Sequence, residues 1–401
     1  MDRIRGQIEA WIEQKELSGG SLIIRVSDKE VCHLNLGYSD IEKKTPIADN
    51  SIYRMASMSK LITAVGVLSL IEQGKLGLDD NVSKYIPAFA HPQVVRDKRY
   101  ELKPNMNKLA VLWKLATFRQ KNVKTKPAQR EITIRDLMSH SSGLVQGVVG
   151  FVMSKKDKRT NESLEKEVEK YALYPLDFEP GTAATYSPIA GFDVLLRVCE
   201  IVSGQTAADY LRKTIFEPLG MTDTGFFLSE EQKTRLVRIY KKKGAQLIDV
   251  TGTKHDLKGL THGGENMTSG AGGIYSTIVD YDRFMHMLLN EGSLDGAQIL
   301  NPETVRLMRT EAAYEHLEGM PGLVWGLGVC IRQDPEKANI NDTKDTYGWS
   351  GAYGTHCFIS PEDKLEMVWC TNRSDAGGAS SPISLELERL VFEELRSLTK
   401  M

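Results

Sequence analysis

Four consecutive residues, Ser57-Met58-Ser59-Lys60, set a hydroxyl three positions before a primary amine. On a helix, positions i and i+3 share a face, so the Lys60 amine can lie against the Ser57 hydroxyl. A hydroxyl is a poor nucleophile until a neighbouring base takes its proton. Lysine serves as that base only as the neutral amine, a form favoured by burial or a nearby cation. A tyrosine phenolate held beside a lysine ammonium is the other solution, and the four residues do not choose between the two. At the first turn of a helix, free N–H groups and the positive dipole end also favour developing negative charge.

The same pattern recurs at Ser163-Leu164-Glu165-Lys166 and at Ser397-Leu398-Thr399-Lys400. The first falls in a charge-dense helix expected at the surface, and the second at the C-terminus. Only Ser57 opens an apolar helix, in which Leu61, Ile62, Val65, Leu68 and Ile71 recur at helical spacing before a stop at Gly74. Gly348-Trp349-Ser350-Gly351-Ala352 approaches a G-x-S-x-G nucleophile turn, with Ala352 in place of the last glycine. That turn requires a histidine well downstream of its serine. His356, six residues on, is the only one left, so the reading is set aside. Gly270-Ala271-Gly272-Gly273 is followed by no Gly-Lys-Ser/Thr and is not a phosphate loop. His140, in Ser139-His140-Ser141-Ser142-Gly143, is a candidate base, but the stronger expectation is a buried histidine tying loop backbone to a helix end.

The elements that must position these groups are legible in outline. Residues 3–16 pattern as an amphipathic helix, and 21–26 and 30–36 as two strands around the turn Ser27-Asp28-Lys29. Helical periodicity returns at 190–202, with Gly204 just beyond, and at 280–290. Strand character is predicted for 325–331, 355–359 and 365–370, and a helix for 384–398. Strands at both ends with helices between them imply one sheet built from both termini, with a helical domain inserted.

Composition narrows the classes further. With 401 residues, 41% of them hydrophobic and 26% charged, the chain can form one large globular unit or two packed ones. A net charge of -2 gives no bias toward nucleic acid or an anionic membrane. The longest apolar stretch, residues 61–71, is too short to cross a bilayer. Five cysteines without close pairs are expected as reduced thiols in or near the core, not as disulfides or a zinc site. Residues 92–130 carry eleven Lys or Arg against Asp97 and Glu101, a net +9; with few interleaved aromatics they read as a solvated insertion near the site. With Met1 as the native start, residues 1–9 lack the apolar region of a secretory leader, and the expected location is the cytoplasm.

Several segments, taken in order, resemble a known family. They are residues 53–61 around Ser57, 72–80, and Ile132 to Leu144 with His140. Pro180-Gly181 ahead of Tyr186-Ser187, Phe216 to Met221 and Ser269 to Thr277 complete the set. Together they are similar to the β-lactamase-related serine hydrolases: class C β-lactamases, DD-peptidases, D-amino-acid-specific peptidases and family VIII carboxylesterases. The resemblance runs from about residue 16 to 375. It implies an α/β (α+β) β-lactamase/DD-peptidase-like fold, with a mostly antiparallel sheet flanked by helices from residues 1–56 and 265–401 and a mainly helical domain at 57–264. It also implies that Ser57, Lys60 and Tyr186 are catalytic, with Tyr186 working with Lys60 in proton transfer. The oxyanion hole falls to the N–H groups of Ser57 and Ala352, and substrate binding to Trp349, Ser350 and Gly351.

Two departures qualify the substrate. Where β-lactamases have Tyr-x-Asn, this chain has Pro188, which offers no side-chain donor. Where they have Lys, or some peptidases His, this chain has Trp349, an apolar face with one N–H. Both favour a neutral ester over a penicillin or a free peptide C-terminus, and the tryptophan resembles the family VIII esterases. The leading expectation is a carboxylic ester hydrolase or acyltransferase working through an acyl-enzyme, acting on a small-molecule ester or amide. It needs no metal or organic cofactor and has no nucleic-acid or membrane partner. The alternatives are a D-amino-acid peptidase, DD-carboxypeptidase or β-lactamase using the same site, and a non-catalytic binding or assembly module.

Overall fold

The computed structural model describes residues 1–96, 107–118, 123–156, 163–257, 267–310, 320–338, 340, 342–379 and 381–399. Its centre is an eight-stranded sheet contributed by both ends of the chain. The N-terminal part supplies β1 (Gly19–Val26), β2 (Lys29–Asp40) and β3 (Thr45–Pro46). The C-terminal part supplies β4 (Leu323–Trp325), β5 (Cys330–Arg332), β6 (Tyr347–Ser350), β7 (His356–Ser360) and β8 (Leu365–Cys370). The order is β4-β5-β6-β7-β8-β1-β2-β3, and every neighbouring pair is antiparallel.

Period-two alternation buries both faces of this sheet. Leu22, Ile24, Met367 and Trp369 pack on one face against Ile4 and Ile8 of α1 (Asp2–Glu13) and Leu387 and Phe392 of a C-terminal helix, Pro382–Thr399. Ile23, Cys357, Val368 and Cys370 face the other way, into a cluster shared with three helices. These are α2 (Ser59–Glu72), α3 (Ala190–Ser203) and α4 (Ile278–Leu289); the C-terminal helix is α5. Helix α2 is buried from Ser59 to Leu70, so it has no solvent face, and it ends as expected with Gly74 at φ +68°. All five cysteines are free and buried. Among the described residues no helix is long and apolar enough to cross a membrane.

One sequence expectation about the fold needs correction. Residues 325–331 do not form one strand: β4 and β5 are antiparallel partners, joined where Gly326 N–H donates to Val329 O at 2.9 Å. Gly328 makes the turn possible, with φ +85° and room for no side chain; a Cβ there would lie 2.4 Å from Ala64 of α2. The middle of the chain also holds the short hairpin Tyr240–Lys243 with Gln246–Asp249 and the antiparallel pair Gln93–Val95 with Thr125–Pro127. Of the basic stretch 92–130, residues 97–106 and 119–122 lie outside the described residues. Its helix Lys108–Thr117 leaves Leu109 and Trp113 exposed. The expected division at 264/265 also falls outside the described residues.

Candidate active site

Ser57 sits in a single 3-10 turn, Ala56–Met58, that runs into α2, one step ahead of the α-helical turn expected for it. Ala56 takes φ +48°, a region that costs energy for any residue with a Cβ. Neighbours hold the turn in place: the Tyr281 hydroxyl donates to Met58 O at 2.9 Å, and Ser59 Oγ accepts from Ile274 N–H at 3.1 Å. Ser57 itself is half-buried.

Lys60 is fully buried, and its Nζ has three partners: Ser57 Oγ at 3.3 Å, Pro188 O at 2.8 Å and Ala271 O at 2.8 Å. Carbonyl oxygens only accept, so two N–H bonds of Lys60 are committed to them. Toward Ser57 the nitrogen then presents either a third N–H, as ammonium, or its lone pair, as amine. The second arrangement aims a base at the serine proton, and the first aims a proton at an alkoxide. Pro188, which lacks the side-chain donor of Tyr-x-Asn, thus contributes a backbone acceptor. The glycine-rich loop supplies the other through Ala271, held there by Asp193, whose Oδ1 accepts from Ser269 Oγ at 2.7 Å and Ala271 N–H at 3.3 Å.

Tyr186 meets this pair from a third stretch of chain. Lys60 Nζ lies 5.0 Å from the centre of its ring, within cation–π range. Its hydroxyl oxygen accepts from Trp349 Nε1–H at 3.1 Å. Trp325 stacks on the Tyr186 ring at 5.9 Å and 14°, and Trp349 flanks it at 5.0 Å. His140 completes the packing, 4.8 Å from Tyr186 and 4.3 Å from Trp325. Its Nδ1 accepts the Ser187 N–H at 3.0 Å, which leaves the ring proton on Nε2, facing aromatic rings. Burial, aided by Lys60, drives the His140 pKa well below the usual histidine range, so the ring stays neutral. It ties down the Tyr186–Ser187 loop, as the histidine was expected to do.

The strand β6 approaches from the opposite side. Gly351 permits the contact: a Cβ there would fall 2.1 Å from Thr355 Oγ1 and 2.4 Å from Met55 O. Among the described residues, Met55, Met58 and Gly351 donate their N–H groups to Ile274, Met55 and Thr355, while those of Ser57 and Ala352 make no such loop bond. Trp349 faces Tyr186, but Ser350 does not share its side. Alternation turns Ser350 toward α5, where its Oγ lies 2.7 Å from His356 Nδ1, so its side chain makes an internal contact where a substrate contact was expected. The aromatic neighbours Trp325 and Phe192 and the carbonyls of Pro188 and Ala271 were not anticipated. A carbonyl leaves no mark in a sequence, and Trp325 reads there as one more strand residue.

The other S-x-x-K pattern in described chain has a different use. Ser163 caps the helix Leu164–Tyr171, its Oγ accepting Lys166 N–H at 3.2 Å. A cleft of about 750 Å3 opens where β1 turns into β2, lined by Arg25, Asp282, Arg283 and His286, but its cations are committed. Arg25 donates to Asp282 at 2.8 Å, and Arg283 pairs with Asp295 at 2.5 Å.

The family model described as Beta-lactamase matches residues 4–385. The Mycobacterium tuberculosis protein Rv1367c is 30% identical over 368 residues, covering 88% of this chain and 85% of its own. Lovastatin esterase from Penicillium rubens is 30% identical over 324 residues, covering 77% of this chain and 71% of its own. The solved structure of EstCE1, described as a hydrolase with promiscuous acyltransferase activity, superposes with a TM-score of 0.78 at 25% identity, over 98% of each chain. The chain therefore belongs to the beta-lactamase family, in the superfamily that unites β-lactamases, DD-peptidases and esterases.

Proposed function

We propose that this protein is a serine hydrolase that works through an acyl-enzyme on Ser57, with small neutral carboxylic esters as substrates. The observation that carries the reading is the Lys60 nitrogen, buried, tied to two carbonyls and directed by them at Ser57 Oγ. Ser57 attacks the ester carbonyl, and its proton passes to Lys60, with Tyr186 beside it. The oxyanion forms against the N–H groups of Ser57 and Ala352, two donors that need no reorganisation. The proton then goes to the departing alkoxide, and the acyl group stays on Ser57. Water releases it as acid, or a second alcohol takes it as a new ester.

The wall opposite Ser57 supports a neutral substrate. Trp349 stands where a lysine would attract a carboxylate, and its one N–H is already used on Tyr186. The likeness to lovastatin esterase and EstCE1 adds esters and acyl transfer as the chemistry to test first. The experiment is turnover of short-chain p-nitrophenyl esters, run beside nitrocefin and a D-alanyl amide, with a fluorophosphonate to label the nucleophile. Ester turnover with a label on Ser57 is the expected result. Preferred cleavage of the amide or the β-lactam would replace the substrate class, and a protein inert to every probe would make the fold a binding module.

A further inference from the structure

Strand β6 serves the site from one side and is held from the other. Trp349 and Ala352 belong to the Ser57 side, and Ser350 stands between them with its hydroxyl on the α5 side. His356, directly across the β6–β7 ladder from Ser350, sets its Nδ1 2.7 Å from that hydroxyl. Its Nε2 lies 2.6 Å from Glu388 Oε1 on α5. Arg332 of β5 meets the same carboxylate oxygen at 2.6 Å and comes within 3.0 Å of Asp342. Burial alone would raise the Glu388 carboxyl, but Arg332 and His356 outweigh it and hold it below the usual range. A carboxylate at Nε2 makes that nitrogen the donor, and Nδ1 of the neutral ring is then free to accept the Ser350 O–H.

The result is a serine–histidine–glutamate relay, yet it has no space for a substrate. Ser350, His356 and Glu388 are each 2% exposed, and the adjoining cavity of about 20 Å3 holds roughly one water. Nor does a buried ionic network stabilise a fold more than apolar packing of the same volume. The rest of this interface is apolar, with Phe358, Leu387, Val391 and Phe392 around it. What the network adds is direction. Three hydrogen-bonding groups, from β5, β7 and α5, fix one side chain of β6, the strand that carries two site contacts.

We propose that Ser350, His356 and Glu388 are positioning residues for the Ser57 site. They hold β6 so that the Trp349 indole N–H stays on the Tyr186 oxygen and the Ala352 N–H stays beside Ser57. The proposal rests on the esterase reading above. A misplacement of about 1 Å in such a constellation costs on the order of a hundredfold in rate, so a strand loosened by a fraction of that shows in kcat.

The test uses the full-length protein and counts competent sites by fluorophosphonate titration, so that misfolded molecules drop out of the rate. Ser350→Ala and His356→Ala are expected to lower kcat per titrated site about tenfold, with KM within about twofold of wild type. Ser350→Thr keeps the hydroxyl and is expected to recover most of the loss. Because part of the relay's effect passes through Trp349, His356→Ala combined with Trp349→Phe is expected to lose clearly less than the product of the two single losses. Losses that multiply in the double variant, or an unchanged kcat per site in Ser350→Ala, would overturn the proposal. Should His356→Ala fail to fold, Ser350→Ala removes a single oxygen and decides alone. A label mapped to Ser350 in the Ser57→Ala protein would refute it by making Ser350 a nucleophile. A wild type without ester turnover takes down the esterase reading as well, whereas an active wild type with indifferent relay variants takes down this inference only.

Discussion

Ser57 and Ser350 flank the same cleft wall, and each lies beside a basic nitrogen. Judged by that contact alone, Ser350 is the better placed, at 2.7 Å from His356 against 3.3 Å between Ser57 and Lys60. Their surroundings separate them. Ser57 is half-buried on a strained turn, with N–H groups beside it that make no loop bond. Ser350 is sealed between a sheet and a helix, with space for about one water. A base within reach does not make a nucleophile. The hydroxyl also needs room for a tetrahedral centre and donors for its oxyanion.

The sharpest way to break this contrast is to remove each hydroxyl in turn. Ser57→Ala is expected to abolish labelling and to reduce ester turnover by about 10^4-fold or more, while Ser350→Ala keeps its label on Ser57. Active-site labelling with peptide mapping reads both. Lys60→Met comes next, with a loss on the order of 10^3-fold in kcat, since it removes the only base in contact with Ser57 among the described residues. Tyr186→Phe is expected to cost about 10^2-fold and Trp349→Phe about tenfold, both measured as kcat on one ester. Equal rates for Tyr186→Phe and wild type would leave Lys60 as the sole proton carrier.

Two smaller effects sharpen the comparison from the structural side. Ser163→Ala, in the pattern that only caps a helix, should cost about 1 kcal/mol in denaturant unfolding and nothing in turnover. Asp342, next to Arg332 at the end of the relay, has its carboxyl pushed up to about 7, chiefly by burial. A raised folded-state pKa means that the folded chain holds this proton the more tightly. The contribution is therefore complete below about pH 4 and lost as pH rises through about 7. Between about pH 5 and about pH 8, Asp342→Asn should gain roughly 2–4 °C in unfolding midpoint relative to wild type. A constant difference across that window would mean that Asp342 titrates as an ordinary carboxylate.

How much was legible in advance follows the range of the interaction involved. Helix α2, the β1–β2 hairpin and the helix stops at Gly74 and Gly204 depend on neighbours a few residues away, and periodicity revealed them. The turn that splits 325–331 depends on Gly328 backing onto Ala64, a contact across the fold, and periodicity misread it as one strand. A histidine six residues past Ser350 is too near to serve a nucleophile turn. Yet a tight hairpin places the two directly opposite each other, which spacing along the chain does not reveal.

By itself the sequence determined the family, the S-x-x-K pair and the elements at both ends of the sheet, because residue order and local spacing encode these. Only the tertiary structure decided which serine stands in the open, which carbonyls orient Lys60, and which face of β6 each side chain takes. Those are matters of contact between segments two hundred residues apart and more, as between Lys60 and Ala271. No local pattern carries them, since a backbone oxygen looks the same at every position until the chain folds around it.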